Sequence, residues 1–265
     1  MSIPYSFNPL GSTPPSSSIS GMYLDGTALK GQLCNHYLAT TVGDGADGST
    51  LTDGSLMFYN CTSLTSWTVE LPNLTEGSYM FYNCTKLTSW TVELPKLTYG
   101  NYMFYGCSKL TSFAGDLTNL TEGSYMFRNC TSLTSWTVEL PNLTNGSNMF
   151  YNCSKLTSWT VELPNLIYGS SMFSGCNALT SFNAGTEGLK SLYDGTNMFQ
   201  NCILDETSVL HILNTIPTYT SGTYKLHLGK RTNFLNSTEI ATLLGTTTPI
   251  AASTSYNYKG WTITV

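Results

Sequence analysis

Charged residues are scarce in this sequence. Asp, Glu, Lys and Arg make up 10% of the 265 residues, and the formal net charge is −5. A chain with this balance has no overall positive field with which to attract nucleic acid. No apolar run approaches the ~20 residues that a membrane-spanning helix needs. We therefore expect neither nucleic-acid binding nor a membrane span.

The opening stretch lacks the features of a secretory signal. "MSIPYSFNPLGSTPPSSSISG" has no basic segment and no apolar core. We expect the chain to stay in the cytosol or to leave the cell by another route, such as lysis. Residues 1–20 are rich in Pro, Ser and Gly and need something to hold them in place. We predict that they form an N-terminal anchor that docks on a partner or on the molecule's own flank.

Groupings that would support catalysis are missing as well. The sequence contains three histidines, His36, His211 and His227, and none is sequence-paired with a cysteine. There is no Ser-His-Asp grouping with supporting context, no phosphate-binding loop and no C-x₂-C spacing for zinc. We therefore predict a protein that is not an enzyme, with no catalytic residues, no metal ligands and no cofactor.

What the sequence does contain is a strict internal repeat, which decides the fold before any local feature does. A Met-Phe pair and a cysteine return every 23 residues, with one final interval of 26. The cysteine ladder consists of Cys61, Cys84, Cys107, Cys130, Cys153, Cys176 and Cys202. A weaker echo, "GMYLDGTAL", precedes it and is interpreted as a degenerate first coil.

The repeat length predicts a solenoid of the leucine-rich type, with short parallel strands and single helical turns. A unit of this size cannot bury its apolar side alone, so copies must stack. "LTSWTVELP" favours a strand ending at proline, and "MFYNC" is long enough for one helical or 3₁₀ turn. We assign residues 21–55 to an N-terminal cap with the degenerate coil, 56–202 to the solenoid and 203–265 to a small α/β C-terminal cap.

Alternation along each strand predicts which side chains form the core. Leu64, Trp67 and Val69 are expected to point inward, whereas Ser66, Thr68 and Glu70 point outward, as do their counterparts in later coils. The regular tryptophan column is interpreted as core rather than as a carbohydrate platform.

The eight cysteines admit three readings besides packing. Stacked cysteines would lie near the strand spacing of ~4.8 Å, which is within bridging range, but the missing secretory signal argues against disulfides. Metal binding and a catalytic thiol both lack a neighbouring histidine. We predict that the ladder is small apolar filler in the core, and we leave the role of Cys34 open.

The outward acidic column raises the question of cations. Glu70, Glu93, Asp116, Glu139 and Glu162 stack one coil apart, and neighbours repel by roughly 1 kcal/mol in water. One carboxylate per coil supplies too few oxygens for Ca²⁺, so screening by solvent is favoured. Weak divalent binding remains a hypothesis that calorimetry with Ca²⁺ would test.

A tyrosine-bearing edge is the candidate binding surface. The residues after the Met-Phe pair are Tyr59, Tyr82, Tyr105, Arg128 and Tyr151, and the residues before it include Tyr79, Tyr102 and Tyr125. Tyrosine brings rigid contact area with a polar tip. Either this edge binds a protein or a glycan, or its rings simply cover the neighbouring coil.

The ends of the chain break the period. "LDETSVLHILNTIP" predicts a helix with Asp205 or Thr207 as N-cap and Pro217 as its stop, and "NSTEIATLLG" predicts a shorter one with Asn236 or Ser237 as N-cap. "TYKLHLG" and "GWTITV" predict strands, which gives an α-β-α-β unit continuing the strand ladder. At the other end, "TTVGDGADGSTLTDG" is interpreted as a surface loop.

The repeat unit resembles a known family. "MFYNCTSLTSWTVELPNLTEGSYMF" is similar to the BspA-like leucine-rich repeat, and its Met-Phe start resembles the M-F-x-x-C variant of surface proteins. The resemblance covers about residues 56–202 and implies a solenoid used for surface adhesion or binding, with no catalytic residues. The ending "KGWTITV" is similar to that of repeat proteins encoded by bacteria and their tailed phages.

Together these features favour a virion structural or appendage protein. Residues 1–20 would dock on other virion or surface proteins, while the solenoid presents its tyrosine edge to a host-surface protein or glycan. The alternative is an exported bacterial surface adhesin. Homo-oligomerisation is left open.

Overall fold

The fold was obtained as a computed structural model. It describes residues 23–25, 28–32, 41–229, 235–250 and 255–265, with side chains from Gly48 onward. The predicted anchor at residues 1–20, together with Cys34 and His36, lies outside the described residues.

Short parallel strands stack into a ladder along the molecule. The strands are β1 (Tyr23–Asp25), β2 (Ala28–Gln32), β3 (Thr41–Asp47), β4 (Ser66–Trp67), β5 (Ser89–Trp90), β6 (Ser112–Phe113), β7 (Ser158–Trp159) and β8 (Ser181–Phe182). Strand β1 pairs antiparallel with β2, whereas the pairs β2–β3, β3–β4, β5–β6 and β7–β8 are parallel. Strand β5 meets β6 with Ser89 opposite Ser112 and Trp90 opposite Phe113. Equivalent residues therefore stack directly, as the solenoid prediction requires.

The strands of the repeats are shorter than the predicted "LTSWTVELP". Only the Ser-Trp or Ser-Phe pair of a coil is in a strand. Just after it the chain bends back, and the indole Nε1 of Trp90 donates to the carbonyl of Val92 at 2.7 Å. The same bond closes the Trp67 and Trp159 coils. The buried indole N–H is thus satisfied within its own coil.

A second parallel ladder, which the sequence analysis did not predict, runs along another side of the coils. It consists of one bridged residue per coil: Asp53, Glu76, Tyr99, Glu122, Asn145, Tyr168 and Asp194. A single bridging residue has no alternating pattern, so the sequence carries no strand signal for it.

The Met-Phe segment forms the predicted single turn. In one coil the N–H groups of Met80, Tyr82 and Cys84 each bond the carbonyl three residues back, at 3.0 to 3.2 Å, which is 3₁₀-type bonding. The intervening N–H groups bond the next coil instead, as Phe81 does to the Met103 carbonyl at 2.8 Å. Each turn therefore closes its own coil and ties it to the following one.

The core is a set of stacked columns. The seven ladder cysteines and every Phe of the Met-Phe pairs are at most 1% exposed. Phe81 stacks on Phe104 at 5.4 Å and meets Trp90 edge-on at 4.9 Å. Leu64, Trp67 and Val69 are buried as predicted, and Thr68 and Glu70 are exposed. Aromatic pairs in this geometry add about 0.5–1.5 kcal/mol beyond their burial.

The C-terminal region carries two helices and a small sheet. Its elements are α1 (Glu206–Thr215), β9 (Tyr224–His227), α2 (Thr238–Leu243), β10 (Ser255–Tyr258) and β11 (Trp261–Thr264). Asp205 caps α1 and Ser237 caps α2, each among the predicted candidates. Strand β10, which pairs antiparallel with β11, was not predicted.

This region closes the two ladders in different ways. Strand β9 extends the second ladder, since Leu226 bridges Gly195 in parallel. The first ladder ends against α1, whose Ser208 hydroxyl accepts the Phe182 N–H at 2.7 Å. The expected continuation of the strand ladder is therefore found in the second ladder and not in the first. Lys259 binds the hairpin to α1 by donating to the carbonyls of Leu213 and Asn214.

The predicted N-terminal surface loop is wrong for residues 41–47. Strand β3 pairs in parallel with both β2 and β4. Its Gly and Asp content suggested a loop, but Thr41 and Val42 occupy the places that Ser66 and Trp67 take one coil later.

None of the helices in the described part of the chain is long and apolar enough to cross a bilayer.

Candidate binding surface

The two tyrosine columns form one continuous surface, here called the tyrosine face. It consists of Tyr59, Tyr82, Tyr105, Arg128 and Tyr151 in one column, and Tyr79, Tyr102 and Tyr125 in the column beside it. The two columns touch, because Tyr79 lies 5.8 Å from Tyr82 and Tyr102 lies 5.9 Å from Tyr105. The structure thus brings the predicted binding residues together.

Three of these tyrosines have an unusual backbone. The φ angles of Tyr79, Tyr102 and Tyr125 are 59°, 60° and 62°, in the left-handed region. A residue with a Cβ costs roughly 1–2 kcal/mol there, and Asn tolerates the region far better than a bulky residue does. The same position is left-handed in the other coils as well, where it is occupied by Leu56, Asn148, Ser171 and Asn197. Strain of this kind is often kept for function.

The rings stack face to face along the solenoid. In the first column the centroids are 4.6 to 4.7 Å apart, and in the second they are 4.4 to 4.5 Å apart. Tyr82, Tyr102 and Tyr105 are half-buried, whereas Tyr59 at the start is 40% exposed. Neighbouring rings therefore cover the ring faces, and the face presents mainly ring edges and phenol tips.

Two phenols on this face, those of Tyr82 and Tyr102, are held in their neutral form. Burial raises the pKa of Tyr82, and the neighbouring phenols of Tyr105 and Tyr59 raise it further. Burial likewise raises the pKa of Tyr102, with Tyr125 and Tyr79 adding to the effect and Arg128 opposing it. At neutral pH these side chains are protonated and can donate hydrogen bonds.

Arg128 replaces a tyrosine within the first column. Its Cζ lies 3.9 Å from the Tyr151 ring centroid and 5.5 Å from that of Tyr125. Its Nη1 donates to Asn148 Oδ1 at 2.9 Å, whereas its Nε is buried without a hydrogen-bond partner among the described residues. The surrounding rings and Asn148 fix the guanidinium, as in a cation–π arrangement.

The tyrosine face ends after Tyr151. The next residues of the first column are Ser174, which is buried, and Gln200. The second column continues as Asn148, Ser171 and Asn197. The aromatic surface therefore covers the first five coils and not the whole solenoid.

The cysteine ladder is buried and its seven thiols are free. Each thiol after the first donates to a Phe carbonyl of the preceding coil, as Cys130 Sγ does to Phe104 O at 3.3 Å. Burial raises the pKa of Cys107 and of Cys176 to about 12. Because the thiolate is the reactive form, the Cys107 and Cys176 thiols are inert at neutral pH.

The acidic column lies on the strand side, beyond one edge of the tyrosine face. Glu70, Glu93, Glu139 and Glu162 are exposed, and Glu93 Oε2 accepts the Asp116 N–H at 2.5 Å. Among the described residues, no group of three or more His, Cys, Asp or Glu side chains is placed to hold a metal ion. Weak divalent binding along the column stays a hypothesis.

A second aromatic group, which sequence reasoning missed, lies where the last coil meets the cap. Tyr219 and Tyr224 stack at 3.7 Å, and Tyr193, which is 51% exposed, meets Tyr224 edge-on at 5.1 Å. The Tyr219 hydroxyl donates to the Leu192 carbonyl at 2.7 Å. These residues fall outside the 23-residue period, so no repeated column pointed to them. Their contacts attach the cap to the solenoid.

Comparison with protein-family models finds one match. The model of the BspA type leucine rich repeat region matches in six copies, over residues 51–157 and 100–221. No curated protein matches the chain.

Proposed function

The chain belongs to the BspA-type leucine-rich repeat family, since the match covers well over half of its residues, and from that premise we propose that the tyrosine face binds a protein partner. Members of this family are typically surface or protein-binding modules and non-enzymatic scaffolds. The proposal adds the location of the binding surface on this chain.

The observation that carries the proposal is that Tyr79, Tyr102 and Tyr125 place bulky side chains at a position whose backbone is left-handed in every coil of the repeat. A column that only needed to cover the neighbouring coil would be better served by Asn, which stands there at Asn148. The repeat imposes this backbone on every coil, and the choice of a bulky tyrosine there in three successive coils supports a use for the aromatic surface. Tyr and Arg are also the residue types that dominate protein interfaces.

The stacking favours a protein over a glycan. A sugar ring packs on the face of an aromatic ring, and here each inner ring is sandwiched at 4.4 to 4.7 Å. A row of ring edges and hydroxyls instead suits the backbone and side chains of a polypeptide. The fixed guanidinium of Arg128 adds a strong donor to that row.

The test is a triple substitution, Tyr82→Ser, Tyr105→Ser and Tyr151→Ser. We expect binding to the partner surface to fall, because contact area and donors are removed from the face. The matched control substitutes Ser for Tyr99 and Tyr168, which are exposed tyrosines outside the face. Binding is read by co-sedimentation with purified virions and with host envelopes, beside urea unfolding. If the triple variant loses stability but keeps binding, the rings only cover the coil and the proposal is wrong.

We further propose that the protein is a virion structural or appendage component that docks through residues 1–20. The scarcity of charge and the Tyr-, Thr- and Ser-rich composition support this. The alternative is an exported bacterial surface adhesin. Mass spectrometry of purified virions beside host envelope fractions decides between them: a fixed copy number in virions is expected, and enrichment in envelopes would favour the adhesin. Deleting residues 1–20 should abolish incorporation, and unchanged incorporation would refute the docking role.

A further inference from the structure

The charges of this acidic chain are sorted by side. In six successive coils, the stretch that begins just before the Met-Phe pair and ends before the strand contains no Asp or Glu. These stretches are residues 55–65, 78–88, 101–111, 124–134, 147–157 and 170–180. The same stretches contain Arg128 and three lysines, Lys86, Lys109 and Lys155. These stretches therefore carry only positive charge, although the net charge of the chain is −5.

These lysines form a column of their own, four residues beyond the first tyrosine column. Lys86, Lys109 and Lys155 are exposed, and none has a hydrogen bond or an ion pair with another described residue. The ion pair that the described part of the chain does contain joins Lys190 to Glu187, in the last coil. Arg128 bonds an amide and not a carboxylate. Among the described residues, these positive charges thus have no carboxylate partner.

The regular stacking concentrates that charge. Successive coils carry their tyrosine rings 4.4 to 4.7 Å apart. Lys86 and Lys109 are on adjacent coils and so lie at positions well within a Debye length of about 8 Å, whereas Lys155 lies two coils beyond Lys109, at about one Debye length. Screening by salt leaves such neighbours coupled, and their mutual repulsion favours an anionic partner laid along the row. We propose, building on the binding role of the tyrosine face, that its partner is an acidic polypeptide segment in extended conformation.

The carboxylates on both sides of the tyrosine face favour an extended segment as the partner rather than a broad surface. On one side runs the second ladder with Asp53, Glu76 and Glu122, and on the other side runs the exposed acidic column beginning at Glu70. A wide acidic surface would meet these carboxylates and be repelled, whereas a single extended chain fits between them. Nucleic acid is disfavoured because single strands need free ring faces for base stacking, and here the rings cover one another.

The experiment measures binding of poly-L-glutamate to the full chain by calorimetry, at low and at physiological ionic strength. We expect binding that weakens as salt rises. Lys86→Glu, Lys109→Glu and Lys155→Glu together should weaken it by about tenfold or more, since three charge–charge attractions become repulsions. The control variant changes Lys96, Lys190 and Lys225 to Glu, which alters net charge equally but leaves the face intact, and it should bind as the wild type does.

Equal losses in both lysine variants, or no binding of poly-L-glutamate, would overturn the acidic-polypeptide assignment. Tighter binding of polygalacturonate, an acidic polysaccharide, or of poly(dT) would overturn it in favour of that class. The tyrosine triple variant separates the two proposals. If the tyrosines matter for the native partner and the lysines do not, the tyrosine face remains a binding surface and only the charge-based identity of the partner fails.

Discussion

The residue before each ladder cysteine is left-handed, and its side chain is always Asn or Gly. The column comprises Asn60, Asn83, Gly106, Asn129, Asn152, Gly175 and Asn201. These are the two residue types that occupy this region most readily. Where two asparagines are adjacent, the amides bond across coils: Asn83 Nδ2 donates to Asn60 Oδ1 at 3.0 Å. Gly106 and Gly175 interrupt this amide ladder.

Gly106 allows the backbone and side-chain effects to be measured separately. Gly106→Ala places a Cβ at φ +71° without any new bond, so we expect a loss of about 1–2 kcal/mol in the free energy of unfolding. Gly106→Asn meets the same backbone but can join Asn83 and Asn129, which offsets the strain by about 0.5–1.5 kcal/mol per bond. Urea unfolding of both variants is the measurement. If Ala is as stable as Asn, the amide ladder contributes nothing.

The amino-acid sequence contains a signal for one of the two left-handed columns but not for the other. Asn and Gly at the position before cysteine are typical of this backbone, although the sequence analysis assigned the segment only to a single turn. The column with Tyr79, Tyr102 and Tyr125 carries no such signal, because a bulky side chain is rarely left-handed. The tyrosines of the face could be named from periodicity, but their strain appears only in three dimensions.

The buried thiols lead to a prediction about reactivity. Because burial raises the pKa of Cys130 and Cys153 well above the ordinary value, these two thiols hold almost no thiolate near pH 8. We expect iodoacetamide to leave all seven ladder cysteines unmodified in the native protein and to modify them after unfolding in urea. Peptide mass spectrometry reads each site. Rapid labelling of an interior site such as Cys130 in native conditions would contradict the packed core.

Among the elements, helix α1 acts as the lid of the first strand ladder. The last coil has no further coil whose carbonyls could accept its backbone N–H groups. Side chains of α1 accept these hydrogen bonds instead. Ser208 Oγ accepts from Phe182, His211 Nε2 accepts from Ala184 at 3.0 Å, and Thr215 Oγ1 accepts from Leu189 at 3.4 Å. An open end would leave these groups unsatisfied and the core exposed, which invites polymerisation.

Two histidines make this closure sensitive to acid. His211 accepts the Ala184 N–H, and His227 Nδ1 accepts the Gly229 N–H at 3.0 Å, so both bonds need an unprotonated nitrogen. Burial lowers the pKa of both side chains below their ordinary value. In the unfolded chain the histidine pKa is about 6.5. Below that pH the unfolded chain therefore binds more protons at these two histidines than the folded chain does. Their contribution to stability is complete above that pH and is lost as the pH falls to the folded pKa.

Thermal unfolding between pH 7.5 and 5 measures this dependence. We expect the melting temperature of the wild type to fall across the interval, and His211→Gln with His227→Gln to flatten the fall, since glutamine can accept a hydrogen bond without titrating. A matched change at an exposed site, Asn214→Gln in the same helix, should leave the pH dependence as it is. The same slope in the glutamine double variant would mean that other groups cause the acid sensitivity.

Local signals in the sequence predict elements well where the bonds that define them are local. Asp205, Ser237 and Gly245 mark the ends of the two helices, because caps involve residues two to four positions apart. The second ladder and strand β10 escaped prediction because their partners lie a coil away or across a hairpin. A single bridging residue such as Glu76 looks like any loop residue until the coils are stacked.

At the scale of the whole molecule, stacking of the repeats places single lysines from different coils in one row on the surface. One lysine in a coil is unremarkable in sequence, and the net charge of −5 suggests no attraction for anions. Stacking aligns Lys86 with Lys109 and separates both from the acidic columns. The net charge therefore misleads about the partner, and only the coil-by-coil alignment reveals a positive side.

The stack also predicts which changes of length the chain tolerates. Stability in such a solenoid is close to a sum of coil terms and nearest-neighbour terms. Deleting residues 108–130 removes one whole period and joins Cys107 to Thr131, so every column stays aligned. The deleted coil is the one with Gly115, where a Cβ would lie 2.5 Å from the Val92 carbonyl. After the deletion Trp136 stacks over Trp90, as Trp90 does over Trp67 in the wild type.

We expect this variant to fold and to unfold cooperatively, with a lower free energy of unfolding because one coil and one interface are gone. Deleting one residue more, 108–131, leaves a single residue between Cys107 and Leu133, and the turn that joins Cys107 O to the N–H of the ladder leucine can no longer form. Cysteine and leucine cannot then both point inward, so this variant should lose its cooperative transition. Circular dichroism during thermal unfolding compares the two. Equal stability of both deletions would mean that the columns are not in strict register, and the aligned tyrosine and lysine rows would lose their basis.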